Sequence, residues 1–95
     1  MTKFTWDEVK RTANFEKHGF DFEDVIFFGW ADARIAPARP SRYGGRRMLA
    51  IGYFGGEKVA VIYAPLGTEA ISIISFRPAG RKERRWLDEK APNPN

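Results

Sequence analysis

Three runs rich in β-branched and aromatic residues follow one another with only short breaks: Arg47–Phe54, Lys58–Ala64 and Glu69–Arg77. No other feature narrows the fold as much. Val, Ile, Tyr and Phe suit a pleated, half-buried surface. Between the first two runs lies Phe54-Gly55-Gly56-Glu57, a tight hairpin signal. Between the second and third, Ala64-Pro65-Leu66-Gly67-Thr68 predicts a turn. Strands joined in this way form an antiparallel meander that must bury a face. Strict alternation in the third run puts Ile71, Ile73, Ser75 and Arg77 on one face, with Ser72, Ile74 and Phe76 on the other.

The flanking segments are helical in pattern. Phe4–Trp6 predicts a short strand, and Asp7 can cap a helix that runs to about His18 and stops at Gly19. Trp6, Val9 and Ala13 form its expected apolar stripe. Phe22, Val25 and Ile26 mark a second short helix, capped by Asp21 and ending near Gly29, with Phe27-Phe28 covering the sheet. Ala31–Ala36 is a further strand candidate, and residues 37–45 read as a loop. Arg81–Lys90 predicts a last helix, and residues 91–95 a frayed tail. The expected architecture is α+β: two N-terminal helices, a three- to four-stranded, mainly antiparallel sheet and a C-terminal helix, in one domain over residues 1–90.

Composition removes several kinds of function. With no cysteine and one histidine among 95 residues, neither a disulfide framework nor a thiolate or His-rich metal site can be built. The start lacks the apolar run of a signal peptide and no stretch is long enough to span a bilayer, so a cytoplasmic protein with no membrane contact is expected. The net charge of +4 is uneven. Residues 31–47 hold five Arg and one Asp, and residues 77–95 hold six Lys/Arg and three Asp/Glu, around a nearly neutral middle. Such patches attract phosphate backbones or an acidic protein partner, or simply keep a surface soluble.

A polar flank runs along the first helix. Lys10, Asn14 and His18 are spaced four apart and share one side of it. Together with Trp6-Asp7, Lys17-His18-Gly19 and Phe22, then Arg47…Ala50-Ile51-Gly52, then Ile73-Ile74-Ser75-x-Arg77-x-Ala79…Glu83-Arg84, the chain resembles the BrnT family of toxins from type II toxin–antitoxin pairs. The likeness runs from about residue 4 to residue 88. Each motif alone is common, but four in order with the right gaps are specific. The pattern departs at Gly45 and Arg46, where the family usually has an acidic residue, at Ser72, where it often has arginine, and around Trp86-Leu87, where tyrosine is frequent.

The resemblance implies a RelE-like fold and RNA cleavage without metal or cofactor, with arrest of translation as the outcome. It also implies a small ribbon-helix-helix antitoxin of the BrnA type, which blocks the toxin and alone links it to operator DNA. Cleavage through the 2′-hydroxyl needs a base, an acid and cations to balance charge on phosphate. His18 is the only side chain that ordinarily titrates near neutrality, and is either that acid or base or a helix cap. Arg77 and Arg81 are candidate phosphate clamps or ion-pair partners of Glu83. Arg47 can point into the same cleft. Ser75 can donate to phosphate or bond to backbone, and Glu83 can be a base or an arginine's orienter. Lys17, Arg46 and Arg84 are further candidate RNA contacts. Lys10 and Asn14 either orient His18 or meet the antitoxin. Tyr43, within the arginine-rich segment, offers a ring on which a base can stack. The alternative is a non-catalytic module that keeps the fold and the antitoxin contact.

Overall fold

The computed structural model describes residues 2–89. Strand β1 (Lys3–Trp6) leads into helix α1 (Glu8–His18), then a 3₁₀ helix over Phe22–Phe27 and another over Trp30–Asp32. Strands β2 (Arg34–Pro37), β3 (Met48–Phe54), β4 (Glu57–Leu66) and β5 (Ala70–Pro78) precede helix α2 (Arg81–Glu89). The sheet order is β1-β5-β4-β3-β2. The meander is present as expected, but the sheet has five strands and is mixed, because β1 pairs parallel with β5. Lys90 and the tail assigned to 91–95 lie outside the described residues.

Local signals account for the ends of the elements. The Asp7 carboxylate accepts from the Val9 N–H, and Gly19 closes α1 in the left-handed region at φ 77°. Gly55 and Gly56, both at positive φ, make the two-residue turn joining β3 to β4. The second turn falls later than predicted. β4 continues through Pro65, which pairs with Ile71, to Leu66. Proline is tolerated there because the pairing with β3 begins only at Met48 opposite Tyr63, so β4 has no β3 partner at Pro65.

The second helix is not an α-helix. A 3₁₀ helix has three residues per turn, so residues three apart line up. Phe22, Val25 and Phe28 fall on that line and are all buried, while Ile26 and Phe27 remain 56% and 70% exposed. Only one of the paired phenylalanines therefore covers the sheet. Phe28 reaches it because β3 carries Gly52, where a Cβ would come within 2.8 Å of the Phe28 ring.

The apolar stripe expected on α1 is also absent. Val9 is 78% exposed and Ala13 is exposed, while Trp6 enters the core from β1. The residue that α1 buries is Asn14. Its amide nitrogen donates to the carbonyls of Phe20 (3.1 Å) and Phe76 (2.8 Å), and its oxygen accepts from the Phe76 N–H (3.1 Å). The β1–β5 ladder stops at Trp6 opposite Ile73. Beyond it, the outward backbone groups of Phe76 would be orphaned, and Asn14 completes them in place of a strand.

A bulge overturns the alternation predicted for β5. Ile62 pairs with Ser75, but the next residue, Tyr63, pairs with Ile73, so Ile74 is an inserted residue and the phase flips. Ile71, Ile73 and Phe76 thus share one face. It holds Phe22, Val25, Phe28, Ala50, Val59, Val61 and Tyr63, and we call it the aromatic face. Ser72, Ser75 and Arg77 fall on the opposite face, where Ile51, Ala60, Ala79 and Leu87 form a smaller cluster under α2. This is the helix face.

Candidate functional site

The C-terminus of α1 and the end of β5 meet at one corner of the sheet. Asn14 fixes the approach, and His18 lies one helical turn further along the same flank. Burial first, then the positive charges of Lys17 and Arg77, hold the His18 imidazole below its ordinary pKa. The ring is therefore neutral at pH 7, and its free nitrogen can accept a proton. Lys17 beside it is exposed.

Arg77 is held in place. Its two terminal nitrogens donate to the two oxygens of Glu83 at 2.7 and 2.8 Å, a bidentate fork, and Nη1 also reaches the Pro78 carbonyl at 3.1 Å. Both partners are mostly buried, and the pair holds the Glu83 carboxyl below its usual range. The Glu83 oxygen also accepts the Gly80 N–H at 2.8 Å, which closes the first turn of α2. Of the two roles considered for Glu83, this geometry realises the orienting one: a carboxylate already taking three hydrogen bonds is a poor proton acceptor.

Ser75, two residues before Arg77, lies on the same face in the row Leu49–Ile62–Ser75. Arg47 directly precedes β3, and its carbonyl accepts from the Ala38 N–H, so the ladder geometry extends to it. Alternation with Leu49 and Ile51 aims it at the helix face. Strand spacing and rise put its Cα roughly 12 Å from that of Ser75 and roughly 16 Å from that of Arg77. Arg47, Ser75 and Arg77, with Leu49 and Ile62 on the same face, are all partly exposed.

The remaining candidates scatter. Arg81 and Arg84 stand exposed on the first turn of α2, with Arg84 donating to the Ala79 carbonyl at 3.0 Å. Lys10 is exposed near the start of α1. Both amide hydrogens of Asn14 and its oxygen are engaged within the fold. Arg46 is in phase with Met48 and approaches Tyr63 on the aromatic face, away from Arg77. Tyr43 is 90% exposed in the loop before β3.

The sequence reading gave Arg34 no individual role. Its guanidinium lies 4.7 Å above the Trp86 ring and donates to the Trp86 carbonyl at 3.0 Å, tying α2 to the outer strand β2. Cation–π pairs link residues far apart in sequence, and no local signal marks them. Among the described residues, no group of three or more His, Asp or Glu is placed to hold a metal ion, and no helix is long and apolar enough to cross a membrane.

Residues 6–83 match the family model described as the ribonuclease toxin, BrnT, of type II toxin–antitoxin systems. The chain is 40% identical to the ribonuclease toxin BrnT of Brucella abortus, solved as a crystal structure at 1.1 Å resolution. That match covers 85% of this chain and 100% of the other, with a TM-score of 0.69. No curated protein matches the chain. The matched span includes α1, the whole meander and the Arg77–Glu83 fork, so the chain belongs to the BrnT family of ribonuclease toxins of type II toxin–antitoxin systems.

Proposed function

We propose that this chain is a metal-independent endoribonuclease acting in the cytoplasm, whose reacting centre is the corner where His18 meets Arg77. The observation that supports this reading is the nearness of His18 to Arg77, whose charge helps hold the imidazole below its ordinary pKa and whose guanidinium Glu83 fixes by two hydrogen bonds. His18 accepts the 2′-hydroxyl proton. The 2′-oxygen attacks phosphorus to form a 2′,3′-cyclic phosphate, the bond to the 5′-oxygen breaks, and that oxygen takes a proton from solvent.

Arg77 balances charge on the phosphoryl oxygens. Because Glu83 sets its orientation, little reorganisation is needed as that charge grows. Ser75 donates a hydrogen bond to a non-bridging oxygen. Arg47 from across the face, with Lys17, Arg81 and Arg84, holds the neighbouring phosphates. A small ribbon-helix-helix antitoxin occupies the same face in the neutralised complex and carries the contact with operator DNA. Its polar contact on α1 is Lys10, while Asn14 holds the helix to β5.

Expression in bacteria tests the reading. The wild type is expected to arrest growth and degrade RNA, and Arg77→Ala to relieve both. Purified Arg77→Ala should cleave about 100-fold more slowly, with chelator present throughout. A folded, harmless wild type that leaves RNA intact would overturn the enzyme reading and leave the non-catalytic antitoxin-binding module in its place.

A further inference from the structure

At the far end of the sheet from Arg77, the aromatic face opens into a cavity of ≈ 370 Å³ lined by Thr2, Phe4, Trp30, Tyr63 and Ile71. We propose that this cavity binds one base of a single-stranded RNA, at a position removed from the bond that is cut; the proposal rests on the ribonuclease reading above.

Its walls are flat and fixed. Phe4 stacks on Trp30 with ring centroids 5.7 Å apart and 22° between planes, and Tyr63 meets Trp30 edge-on at 5.5 Å. The Trp30 indole is anchored by its N–H to the Val25 carbonyl at 2.9 Å. Rigid aromatic walls suit a planar ring and cost little ordering when one binds, and every base has a face to stack. Polar groups are few. The Thr2 side chain stands at the rim, and the Tyr63 hydroxyl has no hydrogen-bond partner among the described residues. A base edge supplies the donors and acceptors that these groups lack.

Charge selects an anionic chain as the carrier of that ring. The segment leading to the cavity holds Arg39, Arg42, Arg46 and Arg47 without a carboxylate. Arg46 sits close enough to Tyr63 for its charge to act on the phenol. Successive residues point to opposite faces. Arg46 therefore attends the aromatic cavity while Arg47 attends the helix face, and the pair straddles the end of β3. A phosphate backbone leaving the Ser75–Arg47 area has a cation on each side of that crossing. An apolar side chain from a protein partner would fit the walls, but it would leave Arg46 without a counter-charge.

A 2′-O-methyl hexanucleotide, which cannot be cut through the 2′-position, serves as the probe for the full chain. Phe4→Leu keeps the apolar volume but removes a stacking ring and should weaken binding on the order of tenfold. Thr2→Trp fills the mouth from an exposed position that the fold does not depend on, and should do the same. Arg46→Ala should reduce the slope of log affinity against log salt by about one. In a ¹⁵N spectrum the Trp30 indole resonance should shift with the probe, whether or not that of Trp86, on the helix face, shifts as well. Folded Phe4→Leu and Thr2→Trp chains that bind the probe as the wild type does, or a shift at Trp86 alone, would overturn the proposal. Wild-type cleavage alongside that result would leave the ribonuclease reading standing. Probe binding at Trp30 by a chain that cuts no RNA would sustain the cavity and remove the nuclease.

Discussion

The two faces of the sheet are built differently, and the proposed chemistry belongs to the more thinly covered one. The aromatic face buries nine residues in one cluster and draws further rings from β1, β3 and the second 3₁₀ helix around it. Phe20 stacks on Phe76 at 4.9 Å, and Phe54 meets Phe76 edge-on at 5.1 Å. The helix face buries only Ile51, Ala60, Ala79 and Leu87, and α2 covers part of it. Stability is concentrated on the first face, while Ser75, Arg77 and Arg47 stand partly exposed on the second. A polar group can serve a polyanion only where the cover is thin, because full burial would demand complete pairing within the fold.

Truncation on each face gives the sharpest contrast. Phe76→Ala removes a fully buried ring contacted on two sides and should cost about 4 kcal/mol in denaturant unfolding. Leu87→Ala, on the buried side of α2, should cost about 2 kcal/mol because the helix can settle into the gap. Equal losses would erase the distinction between the faces. Asn14→Ala should cost about 3 kcal/mol, since it strips the partners from both backbone groups of Phe76, with faster hydrogen exchange at the Phe76 amide. A loss below about 0.5 kcal/mol would mean that water replaces the amide without penalty. The smallest effect belongs to Lys58→Ala. Its 2.7 Å pair with Asp88, whose carboxylate is mostly solvated, holds α2 over the helix face, and its removal should cost less than about 1 kcal/mol. A larger loss would make that single contact the anchor of α2.

Features written in neighbouring residues were legible in the sequence. Asp7 and Gly19 bound α1, and Gly55-Gly56 joins β3 to β4, because caps and tight turns are set within four residues. Features set by partners distant in sequence were not. Nothing in Lys3–Trp6 says that it pairs parallel with Ala70–Ile73. Val9 and Ala13 have helical spacing, yet α1 lies along a strand edge and is held there by a polar side chain. The bulge at Ile74 is silent in the alternation, and it decides which face carries Ser75 and Arg77. His18 lies near enough to Arg77 to feel its charge, a proximity that depends on Asn14 pinning α1 to β5. The division between Arg46 and Arg47, by contrast, follows from simple alternation once the strand is known.

The pH dependence of cleavage tests the central claim most directly. A neutral His18 acting as proton acceptor requires kcat/KM to rise with pH and level off, with a midpoint below the ordinary histidine value of about 6.5, because burial and the neighbouring cations disfavour the protonated ring. In His18→Ala that ascending limb should vanish together with at least tenfold of the rate. The same limb, at the same midpoint and nearly full rate in a folded His18→Ala protein, would contradict the account.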